Sequence, residues 1–95
     1  MNYGIWYDNG RIDFGWLSEE GSHGRPYRYE TNDLEEAMAK ARFQTEHDKN
    51  CVFFAEPIDG DATERFKRVH KLALEKRLRD AEALVESLKR MLARP

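Results

Sequence analysis

Few residues in this chain have types or spacings that suggest chemistry. The histidines are His23, His47 and His70, and the single cysteine is Cys51. No two histidines stand at the i, i+4 spacing of helical metal ligands, and none neighbours Cys51, so neither a metal centre nor a Cys–His nucleophile is legible. One cysteine also forbids an intramolecular disulfide. Ser18, Ser22 and Ser87 lie in no nucleophile motif, and the six glycines are scattered rather than gathered into a phosphate-cradling loop. The acidic pairs Glu19-Glu20 and Glu35-Glu36 fall in polar stretches, where water keeps carboxylates ionised. The expectation is a protein without a catalytic residue, metal or cofactor.

Charge is more informative. The net charge of -2 conceals a split: residues 1–61 hold 6 basic and 13 acidic side chains, whereas residues 62–95 hold 10 basic and 5 acidic. Arg65, Lys67, Arg68, Lys71, Lys76, Arg77 and Arg79 form the densest basic stretch, a candidate contact for nucleic-acid phosphates. The bland alternative is a solvated helix face, or one laid against the chain's own acidic part. Tyr27 and Tyr29 beside Arg25 and Arg28 offer a weak base-stacking signal. The acidic part suggests a third reading, by analogy of size and charge alone. Small acidic inhibitors of the phage type (anti-defence or anti-CRISPR-like) present such surfaces to host nucleic-acid-handling complexes.

The strongest pattern is apolar. Leu74, Leu78, Ala81, Val85, Leu88 and Leu92 follow a 4-3-4-3-4 spacing, a coiled-coil seam of two and a half heptads, which Leu84 and Met91 widen. Such a stripe can fold onto its own head, pair with a second copy, or take another protein's helix. Self-association into a homodimer is the leading expectation. Trp6 points away from the hairpin's aromatic face and Phe43 away from its helix's apolar face, and Phe54 is grouped with them. They are therefore either covered by the last helix or a partner-binding patch.

The elements that carry these residues follow from local pattern. With 95 residues, 40% hydrophobic and 36% charged, the chain makes one domain. Asn9-Gly10 predicts a two-residue type I′ hairpin with Tyr7 opposite Ile12, Ile5 opposite Phe14 and Tyr3 opposite Trp16. Residues 18–24 read as a loop. Residues 25–30 read as an edge strand carrying Pro26, and residues 32–50 as a helix capped by Asn32. Residues 51–56 form a strand covered on both faces. From residue 62 the chain is one long helix capped by Asp61 or Thr63. At about 1.5 Å per residue it outruns a head of 61 residues.

The expected fold class is therefore α+β, a small antiparallel sheet with one packed helix and a long C-terminal helix, in the order β-β-β-α-β-α. The acidic head spans 1–61 and the basic helix 62–95, within a single domain. No apolar run is long enough to span a membrane, and residues 1–10 show no secretory pattern. A cytoplasmic interaction module, binding a protein partner and self-associating, is the reading these features support.

Overall fold

A computed structural model describes residues 1–21 and 24–94 of the chain. Ser22 and His23 of the expected 18–24 loop, and Pro95, lie outside the described residues. In chain order the elements are β1 (Tyr3–Asp8), β2 (Phe14–Trp16), β3 (Ser18–Glu20), β4 (Pro26–Arg28), α1 (Leu34–His47), β5 (Val52–Pro57) and α2 (Ala62–Ala93). The α+β class is as expected. One strand is added, because Ser18–Glu20 is extended rather than looped.

Strands β2, β1 and β5 form one antiparallel sheet in that order, with β1 central. The pattern of a continuously apolar segment predicts a strand covered on both sides, and β5 is covered by α1 on one face and α2 on the other. On the α1 face, Ile5 and Phe53 pack with Ala37, Ala41, Cys51 and Tyr29. On the α2 face, Trp6 and Val52 pack with Val69 and Ala73, flanked by Trp16 and Phe54. Helix α1 presents the small residues Ala37 and Ala41 to the sheet, which lets its backbone approach closely.

The hairpin exists, but its register differs from the expected one. The pairs are Trp6–Trp16, Tyr7–Gly15 and Asp8–Phe14, closing a five-residue loop instead of two. Two side chains explain the change. Asp8 accepts the Gly10 N–H at 2.7 Å, while Asn9 accepts from the N–H groups of Arg11 at 2.8 Å and Asp13 at 3.2 Å. Bonding the loop in this way leaves Asn9 at negative φ, whereas a type I′ turn needs positive φ at both central residues. The three-residue shift turns Phe14 and Trp16 onto the face of Trp6 and leaves Ile12 at the loop tip, 93% exposed.

The third predicted strand also pairs differently. Residues 26–28 join β3 in a separate two-stranded sheet, with Glu19 opposite Tyr27, rather than extending the hairpin. The chain through β2 and β3 is one bent extended run. Leu17 lies at the bend, donating to Ile5 at 2.8 Å and accepting from Tyr29 at 3.0 Å. Asp33, not Asn32, caps α1, accepting from the N–H groups of Glu35 and Glu36. Asp61 caps α2, receiving the Glu64 N–H at 3.0 Å.

Candidate interaction site on the long helix

Helix α2 has no Gly or Pro from Ala62 to Ala93 and is rich in strong helix formers. Its first half docks on the sheet through Arg65, Val69 and Ala73, a spacing of four that holds one face inward. Beyond Arg77 the head ends. Every residue from Leu78 to Arg94 is exposed, and the molecule is drawn out to 57 × 31 × 25 Å. The overhang is about 25 Å long at 1.5 Å per residue.

The seam lies on this overhang and on the flank leading to it. Leu74, Leu78, Leu84, Val85, Leu88, Met91 and Leu92 are all exposed large hydrophobics, Leu92 at 86%. Ala81 and Leu84 reach back to line a polar cavity of 610 Å³ whose other walls are the hairpin loop, with Asn9, Arg11 and Asp13, and the segment leading into β5, with Asp48, Lys49 and Asn50. The opposite flank of α2 faces β5: Arg68 pairs with the buried Glu56 at 2.5 Å, and Lys76 donates to the Lys49 carbonyl at 2.6 Å. At 3.6 residues per turn, Leu74 and Leu78 continue the side of His70 and Arg77, not the side of Arg68.

The basic stretch is largely spent on the head. Arg65, 7% exposed, lies between Trp6 and Trp16 with its guanidinium 4.7 and 4.4 Å from the ring centroids. Its Nη1 reaches the carbonyls of Pro57 and Gly60. Arg77 donates to the Gly10 carbonyl at 3.2 Å, and Lys76 also pairs with Asp80. A buried or committed cation cannot meet a phosphate without first giving up these contacts. Lys67, Lys71 and Arg79 are exposed. Tyr29 is a core residue whose hydroxyl donates to Glu36 at 2.9 Å, which leaves Tyr27 alone on the surface and removes the stacking pair.

Of Trp6, Phe43 and Phe54, Trp6 belongs to the core at 8% exposure, covered by α2 through Arg65. It offers a partner nothing. Phe54 packs partly against the same core. Phe43 is 56% exposed and stacks on His47 at 4.0 Å, while His47 bonds back to the Phe43 carbonyl.

One constellation escaped the sequence. Asp8 is fully buried and accepts from His70 Nδ1 at 2.9 and 3.1 Å, across 62 residues. Phe66 stacks on the imidazole at 5.0 Å. The arrangement orients a ring much as a carboxylate orients a general base. Among the described residues, however, no hydroxyl or thiol hydrogen-bonds that ring. The only available signal was Asp8 itself, a carboxylate ending an apolar strand in phase with Trp6. Burial pushes the Cys51 thiol up from its usual pKa, with nearby Asp48 adding to the effect. Among the described residues no cluster of three His, Cys, Asp or Glu could hold a metal, and no helix is long and apolar enough to cross a membrane.

Compared with known proteins, the chain matches no family model, no curated protein and no solved structure.

Proposed function

We propose that the chain is a non-enzymatic interaction module that self-associates through the distal half of α2 and presents its head to a protein partner. The observation that carries this reading is the uncovered seam: heptad-spaced apolar side chains on a helix that has left its own head behind. Soluble monomers rarely leave so continuous an apolar stripe in water. A helix of similar stripe is its natural cover, and a second copy supplies one.

Charge favours an antiparallel pair. Residues 62–79 carry 7 basic and 2 acidic side chains, whereas residues 80–94 carry 3 of each. Antiparallel pairing lays each basic half against the neutral half of its mate and sets Leu74 of one copy against Leu92 of the other. Parallel pairing would put basic half beside basic half.

Light scattering behind a sizing column, over a hundredfold range of concentration, tests the reading. The chain is expected at twice its monomer mass, and Val85→Glu combined with Leu88→Glu at the monomer mass with its far-UV spectrum kept. A parent that stays monomeric throughout, or a double variant that stays dimeric, overturns it.

A further inference from the structure

The seam reads the same in both directions. Its 4-3-4-3-4 spacing is symmetric about Ala83. A two-fold axis there matches Leu74 with Leu92, Leu78 with Leu88 and Ala81 with Val85 of the second copy, and every match is reciprocal. The two residues that widen the stripe fall to one side of it. Leu84 lies 11 residues and Met91 18 residues beyond Ala73. These are about three and five turns, so both continue the face by which Ala73 is buried in the head. They are 61% and 65% exposed, because the head has fallen away beneath them. In an antiparallel pair these head-facing flanks adjoin, and Leu84 meets its twin one residue from the axis.

The hairpin loop reaches the same level. Asn9, Arg11 and Asp13 share the polar cavity with Ala81 and Leu84, which bracket the axis. Arg77 fastens the loop to the seam side of α2 through the Gly10 carbonyl at 3.2 Å. The loop is also braced from within: Asp8 and Asn9 hold its N–H groups, and the Tyr7 hydroxyl donates to Asp13 at 3.3 Å. At its tip Ile12 is 93% exposed. The loop of each copy therefore arrives at the axis from its own end, on the same side of the helix pair.

We propose that the hairpin loop Asn9–Asp13 is a second contact of the self-associated pair, meeting the same loop of the other copy beneath the two Leu84 side chains, with Ile12 against Ile12. This rests on the antiparallel pairing proposed above and adds the heads to it. A helix from another protein could cover the seam, but only a second copy brings a matching loop to this place. Arg11 and Asp13 flank Ile12 with opposite signs, so a two-fold through the tip sets each Arg11 toward the other copy's Asp13. The remaining charges of the cavity do not oppose this. Lys76 and Asp80 are bonded to each other and Arg77 to Gly10, while Asp48 and Lys49, opposite in sign, lie on the wall away from the seam. Glu82 meets its twin on the outer side of the pair, two and a half turns from the face of Ala73.

Ile12→Cys reads the contact directly, by mild oxidation and in parallel by a short bismaleimide, each followed on a non-reducing gel. A covalent dimer is expected from this variant. None is expected from the parent, whose single thiol is the buried Cys51, or from Ile12→Cys carried in the Val85→Glu, Leu88→Glu background. Arg11→Asp and Asp13→Arg should each raise the dissociation constant of the pair about tenfold, and the two changes in one chain should restore it.

A chain that is dimeric by light scattering yet gives no covalent dimer through the new thiol with either reagent overturns this inference and leaves the seam standing. A chain that stays monomeric overturns both. Cross-linking that persists in the Val85→Glu, Leu88→Glu background overturns the loop contact as part of the pair, and so does a combined charge variant no tighter than either single one.

Discussion

The contact between Asp8 and His70 ties the head to the long helix, and its strength can be worked from its surroundings. The Asp8 carboxylate is 0% exposed and accepts the Gly10 N–H at 2.7 Å as well as His70 Nδ1. Asp8→Ala orphans a buried N–H and releases the imidazole; hydrogen bonds to a charged group contribute ~1.5–3 kcal/mol, so a loss of about 3 kcal/mol is expected. His70→Ala leaves the carboxylate buried with one donor fewer and forfeits the stack on Phe66. Losing a hydrogen bond to a charged group costs ~1.5–3 kcal/mol, so a loss of about 2 kcal/mol is expected. The double variant no longer holds an orphaned charge, so its loss should fall short of the two singles combined by about 2 kcal/mol. Guanidinium unfolding followed by tryptophan fluorescence measures all four corners of the cycle. The cycle should be run in the Val85→Glu, Leu88→Glu background, so that association does not enter the free energies. With total stability of ~5–15 kcal/mol for a domain of this size, each single change is large. A coupling below ~0.5 kcal/mol would refute the argument and leave α2 held by Val69, Ala73 and the arginine contacts alone.

Three further outcomes follow from individual sites. Burial, with the Glu36 hydrogen bond, pushes the Tyr29 hydroxyl up to about 12. The unfolded chain ionises this group near its ordinary value while the folded one does not, so stability is full below about pH 10 and falls as pH rises toward about 12. Tyr29→Phe should flatten that alkaline decline in chemical denaturation, though Tyr7, also raised by burial and by Asp13, keeps part of it. Gly10 has φ +73°, and a Cβ there would sit 2.7 Å from Arg77 Cδ and 3.2 Å from the Ala73 carbonyl. Gly10→Ala should therefore lower stability by ~1–2 kcal/mol, the cost of a left-handed residue, and a thermal melt unchanged from the parent would contradict this. Cys51, buried with its pKa raised, should react with a thiol reagent only after denaturant is added; rapid labelling of the native chain would show that the β5 end of the core opens.

What could be read from the sequence was whatever depends on neighbours along the chain. The α2 helix and the heptad stripe rest on periodicity and the covering of β5 on an unbroken apolar run, and local sequence states both directly. The hairpin register failed because Asn9-Gly10 can act in two ways. Its backbone can enter the left-handed region, or the Asn9 side chain can capture the loop's N–H groups, and the second outcome won. Strand pairing for residues 26–28 was hidden for a related reason, since alternation marks a strand without naming its partner. Arg65 was the hardest case. In the sequence it is one cation among seven, and only the positions of Trp6 and Trp16, both far away in the chain, make it a buried residue.

The burial of Arg65 changes the meaning of the charge split. Arg65, Arg68, Lys76 and Arg77 all spend themselves on head carbonyls, aromatic rings or Glu56. Much of the basic excess on the first half of α2 therefore works as a docking device against an acidic head, and it stops where the head stops. The uncharged seam begins on the hairpin flank at the same level and continues outward. Because α2 is one unbroken helix pinned on one side by Asp8 and Gly10 and on the other by Glu56 and Lys49, the angle between seam and β5 edge is set by helical geometry. A pair formed through the seam would then leave both β5 edges uncovered and facing away from the contact.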